Sequence, residues 1–188
     1  MGKAYHYQES FSGLANVDLE PGTYEDCTFE GCEFVGAEWY QVNLINAEFH
    51  HCDLSNLELD EASLQGVQFN NCKMLGIHFE HAKEFGFGML ALGCNLSYSS
   101  FLNKNLKNST FSDCKLIQVD FTGADLSGIS LAQCDLKDAS FDHTNLKKVD
   151  FRGAQSYSID PEQNQITAAK FSWPEVAGLL TKYNIHIE

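Results

Sequence analysis

The chain has 188 residues, enough for one domain with a continuous buried core. Its 26 Asp+Glu against 12 Lys+Arg give a formal net charge of -14, which argues against free nucleic acid as a direct ligand. No apolar run approaches membrane-spanning length and Met1-Gly2-Lys3-Ala4-Tyr5-His6 has no signal-like apolar core, so no membrane contact and a cytoplasmic location are expected.

Residues 1 to 11 are irregular and are expected to form an edge strand or a cap. From Leu14 a large apolar residue returns at every fifth position, through Leu19, Tyr24, Phe29, Phe34 and Trp39 to Phe79. Two positions before each stands an apolar or small residue, beginning with Ser12, Val17, Gly22, Cys27 and Cys32. A helix stripe recurs at 3.6 and a strand alternates at 2, so a period of five belongs to neither and points to a solenoid. Phe29, Phe49 and Phe69 stand 20 apart, as do Cys32, Cys52 and Cys72, so four five-residue sides make one coil.

Between Phe79 and Leu96 the beat fails by two residues. A bulge within 80–93 accounts for it, with Glu84-Phe85-Gly86-Phe87-Gly88 as the place where glycine permits the detour. Cys72 should then stack on Cys94, and Phe79 on Phe101. Gly86 to Ala91 spells G-x-G-x-x-A, but no strand-helix-strand unit surrounds it, so no cofactor is expected. The beat resumes without a miss from Leu96 to Phe151, and Lys104 is the one long polar residue in the inward small slot. All seven cysteines occupy that slot and read as core filler rather than disulfides or a metal site.

After Ala154 the pattern ends. Ile166 to Phe171 reads as a covering strand, and Ser172-Trp173-Pro174-Glu175 as a capping box opening a helix from about Trp173 to Tyr183. The chain is therefore expected to be one domain over 1–188, with repeats over 12–154 and a capping segment over 155–188.

Ala124-Asp125-Leu126-Ser127-Gly128 and Cys134-Asp135-Leu136-Lys137-Asp138 resemble the A-[DN]-L-x-x unit of pentapeptide-repeat proteins. The resemblance implies an all-β solenoid, a right-handed quadrilateral β-helix, here with a short C-terminal α-helix. The tail from Phe171 to Leu180 is similar to that of the Qnr-type quinolone-resistance group, in which the tail also makes a twofold dimer. On that resemblance Val176, Leu179, Leu180, Tyr183, Ile185 and Ile187 are the expected dimer surface.

From residue 4 to residue 72 there are thirteen Asp/Glu and no Lys or Arg. That stretch makes about 16 Å of solenoid axis, a length over which B-DNA carries about ten charges. The richest side holds Asp18, Glu20, Glu38, Glu58, Asp60, Glu61 and Glu80 beside its inward residues. His50, His51, His78 and His81 are expected near one corner. No nucleophile-base constellation can be assembled, so neither enzyme activity nor a small-molecule substrate is expected. The resemblance and the charge density together imply a homodimeric DNA mimic that binds DNA gyrase, a type II topoisomerase, and protects it from quinolones or related inhibitors. The alternative is a non-catalytic interaction scaffold for another protein. The absence of the long loops found in the Qnr-type group separates this chain from it.

Overall fold

The computed structural model describes residues 4–15 and 18–186, so Val17 and Ile187 lie outside the described residues. The chain winds as a parallel solenoid whose sides are built the same way. Three extended residues point in, out and in, and two turn residues then swing the chain round a corner. In the side around Phe34 the amide of Ala37 donates to the Phe34 carbonyl, and the second of the two residues between is left-handed, Gly36 at φ 66. The next coils repeat the turn with Asn56 at φ 56 and Gly76 at φ 66. These are positions that glycine and asparagine occupy at least cost. Three extended plus two turn residues make the period of five.

Ten short strands mark the most regular stretches: β1 (Ala4–Tyr7), β2 (Ser10–Ser12), β3 (Gly22–Glu25), β4 (Thr28–Glu30), β5 (Val42–Ile45), β6 (Glu48–His50), β7 (Ser63–Gln65), β8 (Val67–Asn70), β9 (Met89–Leu92) and β10 (Thr110–Ser112). They form two parallel sheets, ordered β1-β3-β5-β7 and β10-β9-β8-β6-β4-β2. Isolated parallel bridges such as Asn95↔Lys115 and Asp120↔Ser140 carry the ladder through the remaining coils. Between successive coils the inward rings stack. Phe29 and Phe49 lie 4.5 Å apart at 4°, and Phe79 and Phe101 4.5 Å apart at 2°. All seven cysteines are free and buried, and the amides of Cys32 and Cys72 donate to the thiols of Cys52 and Cys94.

The first coil departs from the sequence reading. β1 and β2 are paired strands rather than an irregular cap, and their register, Ala4↔Gly22 and Phe11↔Phe29, makes this coil 18 residues long. Phe11 therefore occupies the column of Phe29, stacking at 4.8 Å, and Leu14 falls in the cysteine column instead of the phenylalanine one.

Across 80–93 the register steps by 22, with Val67 paired to Met89 and Cys72 beside Cys94. The extra residues form a loop after Phe79, with Phe85 exposed and Phe87 buried. Lys104 explains how the loop is held. Its side chain runs inward, is 3% exposed, and donates to the Ala82 carbonyl at 2.6 Å. Its ammonium lies 3.2 Å from Glu84 and 4.6 Å from the Phe87 ring centre. The long charged side chain in the inward small slot thus fills the space the detour opens, paired as a buried charge must be. Gly86 to Ala91 runs from this loop into β9, not into a helix.

The repeat also outlasts Ala154. Gln155, Gln165 and Lys170 bridge to Asp135, Asn145 and Asp150, and Phe171 stacks on Phe151 at 5.1 Å. Beyond it the expected α-helix is replaced by two 3₁₀ segments, Glu175–Leu179 and Thr181–Tyr183. Two contacts oppose the longer helix. The Ser172 hydroxyl accepts from the Gly153 amide instead of capping, and a Cβ at Gly178 would collide with the Tyr157 carbonyl.

Burial alone would raise the Asp125 carboxyl, but Lys107 at 2.8 Å, Ser127 and Asn145 outweigh it and hold its pKa at about 2. A depressed carboxyl contributes stability that is present above its unfolded pKa and is lost as pH falls through the folded one. Wild type is expected to lose stability relative to Asp125→Asn as pH drops from about 4 to 2. Parallel acid titrations by circular dichroism check this, and identical slopes would refute it.

Candidate protein-interaction surface

The side carrying Leu19, Trp39, Leu59 and Phe79 inward turns its acids outward in register. Asp18, Glu38 and Glu58 occupy successive coils, since the Asp18 carboxylate accepts from the Glu38 amide at 2.8 Å and Glu38 bridges Glu58. All three are exposed, and so are Glu20 and Asp60, which follow the inward residues of their coils. Nothing on the N-terminal coils supplies a base to neutralise this line, because no Lys or Arg occurs from residue 4 to residue 72.

The coil of Phe79 closes the stripe. Glu61 stands at the corner, 3.5 Å from Lys83. Glu80 is only 20% exposed and lies 3.0 Å from His78, so it is a supporting group rather than an open charge. His81 faces Asp60 at 3.5 Å, and the His78 and His81 rings stack at 5.6 Å and 18°. The expected four-histidine corner does not form: His50 turns to Glu48 at 3.2 Å on another side, one position before His51. Sequence reasoning missed Tyr40, which is 54% exposed among the acids at the position after inward Trp39.

The tail forms a second surface. Val176 and Leu179 are half-buried, and Leu179 packs on the core. Leu180, Tyr183 and Ile185 are exposed. Trp173, which the sequence reading used only as the start of a helix, is 79% exposed. With Pro174, Val176, Ala177, Leu179 and Leu180 it lines an apolar depression of about 520 Å³. Lys182, 2.7 Å from both Asp160 and Glu162, pins the end of the tail to the last coil.

Comparison with known proteins bears on the fold. A model described as a pentapeptide repeat region matches residues 23–84, and one of pentapeptide repeats in eight copies matches 93–128 and 120–155. No curated protein matches the sequence. Two trypsin-treated structures of QnrB1, described as a plasmid-mediated fluoroquinolone resistance protein, are similar. One has TM-score 0.74 and 19% identity over 100% of this chain and 95% of that one. The other has TM-score 0.70 and 18% identity over 96% and 99%. HetL of the cyanobacterium Nostoc sp. strain PCC 7120, described as involved in heterocyst differentiation regulation, reaches TM-score 0.49 at 19% identity over 90% of each chain. At these identities the likeness is one of fold. The family models leave out residues 85–92, the loop over Lys104, and cover on either side the beat that builds the four walls. The chain belongs to the pentapeptide-repeat proteins.

Proposed function

We propose that this protein imitates duplex DNA, and that it binds the basic DNA-gripping surface of a type II topoisomerase, chiefly DNA gyrase, so protecting the enzyme from quinolones or related inhibitors. The observation that carries the reading is the in-register line Asp18, Glu38 and Glu58 on coils that contain no base. A line of carboxylates repeating at about 4.8 Å supplies about a third of the charge density of duplex DNA, and the other acids of residues 4–72, thirteen in all over about 16 Å of axis, bring the rod to that density. The similarity of fold to QnrB1 supports the choice of partner. The test is competition: the protein should displace DNA from gyrase, and its binding should weaken as salt rises, as exposed charges require. Salt-independent binding, or none, overturns mimicry.

The alternative is a non-catalytic scaffold for a different protein. The observation that favours it is that the one break in the repeat between 80 and 93 adds two residues, far short of a long projecting loop.

The same proposal makes the tail a homodimer surface, a single self-complementary patch being the usual geometry of a twofold pair. Leu180→Asp places a charge in the apolar depression and is expected to give a monomer by light scattering. An undiminished dimer excludes this surface.

A further inference from the structure

Where the acidic stripe meets the coil of Phe79, the surface is concave. A depression of about 310 Å³ lies between Glu58 and Asp60 on one coil and His78 and His81 on the next, with Asn56, Leu57, Leu59 and Gly76 completing its lining. Each imidazole is fixed by a carboxylate at Nδ1, Glu80 for His78 at 3.0 Å and Asp60 for His81 at 3.5 Å, so both rings keep Nε2 away from that contact. The rings stack nearly parallel. A carboxylate beside a stacked pair of imidazoles suits a planar cation better than a spherical one. Guanidinium is planar and weakly hydrated, stacks on aromatic faces and pairs with a carboxylate through two donors, whereas an ammonium does neither as well.

We infer that this depression seats an arginine side chain of a basic partner. The inference deepens the reading of the acidic stripe as a surface for a DNA-gripping protein and rests on it. The groups facing the rings are Glu58, Asp60 and Glu80, with Glu61 and Lys83 at the corner. On the following coil the bridge to His78 comes from Ser100, and the charge that coil brings near is the buried ammonium of Lys104 on the Ala82 carbonyl.

The experiment compares hexa-arginine with hexa-lysine as probes, by calorimetry, at pH 8. At pH 8 arginine is expected to bind at least about threefold more tightly, the ratio that cation–π stacking at an exposed site supplies. The advantage should vanish in the double variant His78→Ala/His81→Ala, whose coil should stay intact by circular dichroism because both rings are exposed. Equal affinities at pH 8, or an advantage the double variant keeps, overturns the arginine seat. Mimicry fails separately, if neither peptide binds or if salt leaves both unaffected.

Discussion

Glu38→Lys, Glu58→Lys and Asp60→Lys combined in one chain are expected to weaken binding to gyrase at least about a hundredfold, since like charges set against a basic surface cost several kcal/mol. All three side chains are exposed, and none of the ring stacks or inter-coil backbone hydrogen bonds passes through them. The variant should therefore fold with an unchanged circular dichroism spectrum. It turns three attractive contacts into repulsive ones on coils that have no base of their own to mask the change. In a supercoiling assay with a fluoroquinolone, the native protein should rescue or directly inhibit the enzyme and the variant should do neither. Equal activity of the two would show that this side does not make the contact. Silence from both, with no binding, would favour the scaffold reading.

The coil itself was legible because a repeat fold writes the same packing problem into each turn. Every side needs one small and one large inward residue, and the sequence supplies them from Leu19 to Phe79 and again from Leu96 to Phe151, with Lys104 as the exception. What it hid were the turns where another solution fills the same space. At the N-terminus the 18-residue coil moves Phe11 and Leu14 into different columns, and a search for fives sees only noise there. In the last coil Asn164 takes an inward slot. It is tolerated because its Oδ1 accepts from the Thr144 amide at 2.9 Å and its Nδ2 donates to the Phe141 carbonyl at 2.8 Å. A buried polar group with both ends satisfied costs little, but composition gives no sign that the partners exist. The tail misled for a related reason: local capping signals favour an α-helix, while Ser172 and Gly178 are committed to contacts with Gly153 and Tyr157 that only the fold brings near. The acids of the stripe were legible as a count and a column. The histidines beside them were not, because the pairing of His78 with Glu80 and His81 with Asp60 depends on side-chain rotation at a corner.

Phe121→Ala is expected to cost roughly 3–5 kcal/mol of stability, the range for emptying a fully buried phenyl site. The ring is 0% exposed and lies between Phe101 at 5.5 Å and 5° and Phe141 at 5.3 Å and 14°. Such a cavity collapses poorly here. The backbone at Asp120 is bridged to Ser100 on one side and Ser140 on the other, so the coils cannot slide inward to close the gap. Phe85→Ala supplies the control. That ring is 86% exposed, and its loss should change stability by no more than about 0.5 kcal/mol. Chemical denaturation of the two variants measures both, and a loss under about 1 kcal/mol at Phe121 would show that the stack does not hold the coils together. In a solenoid each coil is stabilised through its neighbours, so the cost at Phe121 falls on the interfaces to the coils of Phe101 and Phe141. The unfolding transition of Phe121→Ala should therefore broaden as well as shift, with the coils on the two sides of the cavity melting at different denaturant concentrations.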